Sequence, residues 1–209
     1  MTRTLPATFL ARDPRRVARD LLGKLLVRRH GGKLLAGRIV EVEAYLGTGD
    51  VAAHAAAGIT ARNRVLFGPP GRAYVYFIYG NHFCLNVSCQ PEGEAGCVLI
   101  RALEPTEGLT QMAHARGLRL PAGAAHAGPV PHRILRQLTS GPGRLCEAFG
   151  IVRARDNGRD LTSPASRLRL ADDGYRPRGI LATTRIGIRK AADRRLRFVI
   201  AGSPFVSRV

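Results

Sequence analysis

The sequence is poor in acids: 15 Asp and Glu stand against 33 Lys and Arg in 209 residues, a formal net charge of +18. So lopsided a chain suits a partner with a phosphate backbone, and nucleic acid is the first expectation. Lysine is scarce too, limited to Lys24, Lys33 and Lys190, so the basic excess is almost wholly arginine in an Ala- and Gly-rich chain. Tryptophan is absent and aromatics make up 6% of the residues. Four cysteines, Cys84, Cys89, Cys97 and Cys146, form no CxxC pair, and the six histidines are scattered. That spacing argues against a zinc site or a disulfide framework and for reduced thiols in the core. No run of about 18 apolar residues offers a membrane span, and "MTRTLPATFLARDPRR" lacks the apolar stretch of a secretory signal. A soluble, cytoplasmic protein, in a bacterium one working at the nucleoid, is expected. With 45% hydrophobic residues the chain can enclose one core, and residues 1–209 are read as a single domain.

Along the chain, "RDPRRVARDLLGKLLVRR" reads as a helix: Asp13 caps it, Pro14 takes the first helical position, Val17, Leu21 and Leu22 share a face, and Gly23 closes it. "KLLVRR" and "KLLAGRIVEVEAY" flank "HGG" and read as a strand pair. Residues 46–72 are mostly irregular, with a short helix after Thr60, and a loop that long in a compact domain is usually functional. "RAYVYFIYGNHFCLNVSCQ" reads as a hairpin with its tip at Gly80 and Asn81, and "CVLIRALEP" as a strand stopped by Pro105. A helix is expected over 106–116, a loop over 117–131, and two short helices broken at "SGPG" after that. The last fifty residues return to strands in "ILATTRIGIRK", "LRFVIAG" and "SPFVSR". The fold class is α+β: a curved, mainly antiparallel sheet surrounded by helices, with a projecting hairpin.

Two of the few carboxylates fall in one strand, "IVEVEAY". Strand side chains alternate, so Glu41, Glu43 and Tyr45 share one face and Val40, Val42 and Ala44 the other. A charged strand face is most often solvated or paired with arginine, but here Asp50 and His54 follow directly in a glycine-bearing loop. Four of the five tyrosines, Tyr45, Tyr74, Tyr76 and Tyr79, lie within residues 45–79. Aromatic faces stack on nucleobases and attract cationic ligands; tyrosines of a half-buried sheet are the plainer explanation, better for Tyr74 than for Tyr79 beside the tip.

These stretches together, "GRIVEVEAYLGTGDVAAH", "ARNRVLF", "PGRAYVYFIYGNHFCLNVSC" and "CVLIRALEP", resemble the alkyladenine (3-methyladenine) DNA glycosylase family, and the likeness resumes in "LTSGPGRLCEAFGI", "TTRIGI" and "LRFVIAGSPFVSR". The resemblance implies a base excision repair enzyme that flips a damaged purine nucleotide, alkylated or deaminated, out of duplex DNA and hydrolyses its N-glycosidic bond, without cofactor or metal and as a monomer. It implies that Glu43 activates the attacking water, with Arg101 and the backbone of Ile186 holding that water. Tyr45, His54 and Tyr76 would wall the base pocket, Asn86 would crowd the amine of undamaged guanine, and Tyr79 would fill the gap in the stack. Arg62 and Arg64 would hold phosphates. The chemistry agrees: glycosidic cleavage builds positive charge on the sugar, which a carboxylate stabilises while taking a proton from water.

Glycosylases that also cut the strand use an amine nucleophile, and none of the three lysines lies in these motifs, so a monofunctional enzyme leaving an abasic site is expected. Hairpin parity supplies a structural criterion. A two-residue Gly80-Asn81 turn sends Tyr76 and Asn86 to opposite faces, whereas a three-residue tip, Gly80 to His82, pairs them directly. The resemblance therefore requires an odd-length tip or a bulge. An RNA- or ribosome-binding module would account for the charge and tyrosines but not for Glu43, His54 and Arg101. A metal-dependent hydrolase using His54, His82 and the acids lacks HExxH or comparable spacing.

Overall fold

The computed structural model describes residues 2–78, 80–121 and 130–207. The chain runs β1 (Arg3–Thr4), α1 (Ala7–Leu10), α2 (Pro14–Leu21), β2 (Leu25–His30) and β3 (Lys33–Tyr45), then two single 3-10 turns, His54–Ala57 and Arg64–Phe67. It continues with β4 (Ala73–Ile78), β5 (His82–Ser88), β6 (Cys97–Glu107), α3 (Leu109–Ala115), α4 (His132–Thr139), α5 (Pro142–Ala148) and α6 (Arg153–Asp156). It ends with β7 (Leu168–Asp172), β8 (Ile180–Thr183) and β9 (Arg197–Ile200). The strands form one sheet in the order β1-β7-β2-β3-β6-β5-β4, with β8 and β9 attached to β3, and every pairing among the described residues is antiparallel. The α+β expectation holds.

β3 organises the sheet. One edge pairs with β6, while the other pairs first with β2, up to Arg38, and then with β9 over Glu41 to Glu43. The pairing of β3 with β6 is irregular at Glu41, where Glu41 faces Ala102 but Val42 already faces Ile100. Such a bulge twists the strand locally and re-aims side chains, here Glu41 and Arg101. The apolar face carries Val40, Val42 and Ala44 together with Ile100, Leu85, Val87 and Val75, in one core with Val17 and Leu21 of α2 and Leu145 of α5. α2 forms as its sequence dictates: the Asp13 carboxylate accepts from the Arg15 N–H, and Pro14, Val17, Ala18 and Leu21 are buried. The β2–β3 turn is two residues, Gly31 and Gly32, both at positive φ (54° and 73°), as a primed hairpin turn needs. All four cysteines are buried and free of disulfides, and no described helix is long and apolar enough to cross a membrane.

Several expectations need correction. β6 does not stop at Pro105 but runs on to Glu107, because Pro105 sits opposite Gly37 at a register shift, where a missing N–H is tolerated. The next helix accordingly starts late, at Leu109, after a left-handed Gly108. "TTRIGI" is strand only up to Thr183 and "SPFVSR" is irregular: their apolar residues dock singly, Phe205 and Val206 being buried. β7, "LRLAD", escaped the sequence reading altogether. In the β4–β5 hairpin the last pair is Ile78 with His82, so the connection is three residues, 79–81. His82 belongs to the strand rather than to the tip. The tip is odd in length, as required, but Tyr76 pairs with Cys84 and Tyr74 with Asn86; Tyr76 and Asn86 are diagonal neighbours on one face.

Candidate active site

On the face opposite the core, strand alternation lines up one transverse row. Glu43 pairs with Leu99, Leu99 with Asn86 and Asn86 with Tyr74, across β3, β6, β5 and β4. Paired residues project to the same side, so a carboxylate, an amide and a phenol share one wall. Over this wall lies a cleft of about 670 Å³, lined by Tyr45, His54, Tyr74, Tyr76, Asn86 and Arg101 on one side. His82 on the same β5 face, Ser140 to Arg144 ahead of and within α5, Ile186 to Ile188, and Ser207 complete the lining.

Glu43 is fully buried at 0% exposure. Its Oε1 accepts from the Ile186 N–H at 2.8 Å and lies 3.2 Å from Arg101 Nη1, and its Oε2 accepts from the Tyr45 hydroxyl at 2.9 Å. Burial pushes the Glu43 carboxyl up, and Arg101, the Ile186 N–H and Tyr45 pull it back only in part, so it titrates above the ordinary value. Such displacement is characteristic of groups that move protons. Glu41, two residues earlier, is equally buried but titrates below its ordinary value, because Arg101, Ser207 and Arg197 outweigh its desolvation. Arg101 Nε at 2.9 Å, Arg197 Nε at 2.8 Å, and the Ser207 N–H and hydroxyl at 2.6 and 2.9 Å all donate to it. Glu41 thus anchors Arg101, and Arg101 bridges the two acids.

The aromatic wall is equally well ordered. His54 Nδ1 is 2.8 Å from the Tyr74 hydroxyl, and its ring stands edge-on to Tyr76 with centres 4.6 Å apart. Burial, assisted by Arg62, holds the His54 pKa below its ordinary value, which favours the neutral ring. His54 is positioned by Asn63, a buried side chain that donates to the His54 and Gly58 carbonyls and accepts from the Thr60 N–H. Asn86 donates to the Tyr74 carbonyl and accepts from the Cys97 thiol, which fixes which way its amide points. The Arg62 guanidinium lies 5.7 Å from the Tyr76 ring centre at the rim of the cleft; Arg64 is exposed and outside the lining. Tyr79 lies outside the described residues.

The structure therefore brings together Glu43, Arg101, Tyr45, His54, Tyr76, Asn86 and Ile186 and leaves Arg64 apart. Sequence reasoning did not assign Tyr74 to the pocket, nor Asn63, Ser207, Arg197 or the Asp50–Arg185 pair to its support. The one available signal was Asp50 itself, an acid in an acid-poor chain beside the tyrosine cluster. Among the described residues, no three His, Cys, Asp or Glu side chains gather as metal ligands.

Comparison with known proteins supplies the family. The chain is 60% identical over 203 residues to a protein of Koribacter versatilis, covering 97% of this chain and 92% of the relative. It is 49% identical over 211 residues to one of Methanoculleus marisnigri, covering 98% and 99%, and 48% identical over 200 residues to one of Rhodopseudomonas palustris, covering 96% and 86%. All three are provisionally named 3-methyladenine DNA glycosylases. The methylpurine-DNA glycosylase family model matches residues 8–204, and the chain belongs to that family of N-glycosyl hydrolases.

Proposed function

We propose that the protein excises alkylated purines, such as 3-methyladenine, from duplex DNA by flipping the nucleotide into the cleft and attacking C1′ with a Glu43-activated water, leaving an abasic site. The observation that carries this reading is a fully buried carboxylate with a raised pKa, Glu43, held directly behind a tyrosine- and histidine-walled cleft by three of its lining residues, Tyr45, Arg101 and Ile186, in a chain of net charge +18. A cavity of this volume falls within the range of small-molecule sites and accommodates one nucleotide rather than a helix, so the base must leave the stack to reach it.

Tyr45, His54, Tyr76 and the added Tyr74 form the walls. Their electron-rich faces favour a base that already carries positive charge. An alkylated purine is also a better leaving group, so a strong general acid is dispensable. Glu43 accepts the proton from water as its charge offsets the cationic sugar, and the Arg101 guanidinium 3.2 Å away favours its ionised form. The Ile186 N–H is bonded to Glu43, so its carbonyl is the group assigned to the water. Asn86, held by Tyr74 and Cys97 in the cleft lining, is the candidate for crowding a guanine amine. Arg62 and Arg64 are the phosphate candidates, Tyr79 the wedge, and the monomer the acting species. Lys24 is buried against Asp172 at 2.8 Å, and neither it, Lys33 nor Lys190 lines the cleft, which supports a water nucleophile.

Release of free 3-methyladenine from alkylated duplex DNA in EDTA is the test. Glu43→Gln is expected to lower the single-turnover rate by about 10²–10⁴-fold while DNA binding is kept, and borohydride is expected to trap no covalent adduct. Undiminished activity of Glu43→Gln, or a trapped adduct, would overturn the mechanism.

A further inference from the structure

Asp50 and Arg185 form a completely buried pair, each side chain at 0% exposure, and neither lines the cleft. The contact is two-pronged: Arg185 Nη1 to Asp50 Oδ2 at 2.5 Å and Nη2 to Oδ1 at 3.0 Å. Buried ion pairs add little net stability compared with apolar side chains of similar volume, so stability alone gives such a pair little purpose. Its surroundings suggest one. Asp50 is clamped within its own loop by the Leu46 and Ala52 N–H groups, both at 3.2 Å. Arg185 also donates to the Ala44 carbonyl at 3.1 Å, and its guanidinium lies 4.7 Å from the Tyr45 ring centre.

Two arms run from this pair to one carboxylate. Through the stacked ring, Arg185 fixes Tyr45, whose hydroxyl donates to Glu43 Oε2. Through the chain, it fixes the next peptide, whose Ile186 N–H donates to Glu43 Oε1. We infer that Asp50 and Arg185 are positioning residues for the proposed base, setting both oxygens of Glu43 from a single buried anchor. The inference rests on the glycosylase reading above. It also explains an otherwise irregular segment: residues 184–188 leave the sheet after Thr183 because their task is to present one N–H, not to extend a strand.

The geometry is specific to arginine. A lysine keeps the charge but loses the fork and the flat face for Tyr45. The groups facing Glu43 are Glu41 and Tyr45 on β3, Arg101 on β6, Arg197 opposite it on β9, Cys84 on β5, and Arg185. Burial pushes the Cys84 thiol up to about 11 and the Tyr45 hydroxyl up as well, so both stay neutral through the working range. The Ile186 N–H and Tyr45 hydroxyl stabilise the ionised carboxylate. Misaligning them must therefore raise the pKa of Glu43 and move the acid limb of the rate profile to higher pH.

The test uses the full chain with methylated duplex DNA. Asp50→Asn and Arg185→Lys are expected to lower the single-turnover rate by about 100-fold, leave DNA affinity within about threefold, and shift the acid limb upward. Tyr45→Phe, which removes one arm, should shift it in the same direction and no further than Asp50→Asn. A folded variant that loses rate with an unmoved acid limb, or loses no rate, would overturn the inference. So would a failure of both variants to fold, which would make the pair a structural staple. Absence of methylpurine release by the wild-type protein would instead refute the glycosylase reading.

Discussion

Glu41 and Glu43 show how far two like residues on one strand face can diverge. Glu41 is saturated by Arg101, Arg197 and Ser207 and held below its ordinary pKa, whereas Glu43 is held above it. The signs of their pH linkage are opposite. Glu41 contributes stability that is present above its unfolded pKa and lost as pH falls towards its folded value. Glu43, with a raised folded value, opposes folding once pH climbs through its unfolded pKa, because its ionised form is buried. Urea unfolding at pH 7 should therefore separate them. Glu41→Gln is expected to destabilise by about 3–5 kcal/mol, as breaking a buried charge network does, and Glu43→Gln to stabilise, the usual exchange between activity and stability. If both were equally destabilising, Glu43 would be no less a structural residue than Glu41.

The elements that sequence made legible are those whose signal is local. Alternation predicted which face of β3 would carry Glu41, Glu43 and Tyr45, and Asp13 and Pro14 predicted the start of α2, whereas the odd length of the β4–β5 tip came from the family resemblance and its register, with Tyr74 rather than Tyr76 opposite Asn86, was not read. Less was legible where a partner lies far along the chain. Asp50 and Arg185 are 135 residues apart, and no local pattern in "TTRIGI" separates an edge strand from a segment that delivers one N–H. The loop carrying Asp50 turns on Gly47, at φ +89°, where an added Cβ would sit 1.9 Å from the Ala95 carbonyl oxygen. Gly47→Ala is expected to cost about 1–3 kcal/mol from backbone strain alone, with the clash in addition, and to lower excision by displacing Asp50. Denaturant unfolding with a loss below about 1 kcal/mol would show that the loop does not need this close approach.

The molecule as a whole combines an arginine-rich surface with an interior where acids are few and nearly all engaged. The charge is the long-range attractor for DNA, so binding should respond steeply to salt. Contact with about six phosphates implies a loss of roughly 10³-fold in affinity between about 50 and 200 mM salt. A slope corresponding to less than one phosphate would remove the charge from the recognition scheme. Site assembly also has an order in time, set by the reach of Glu41 to Ser207, 166 residues further along the chain. At about 5–20 residues per second, Glu41 emerges from the ribosome roughly 10–30 s before the segment that completes its shell, and Glu43 waits almost as long for Ile186. Through that interval the nascent chain can collapse around β3, but Glu43 and Glu41 lack the Ile186 and Ser207 donors that orient them, so the site stays unarmed until those segments dock.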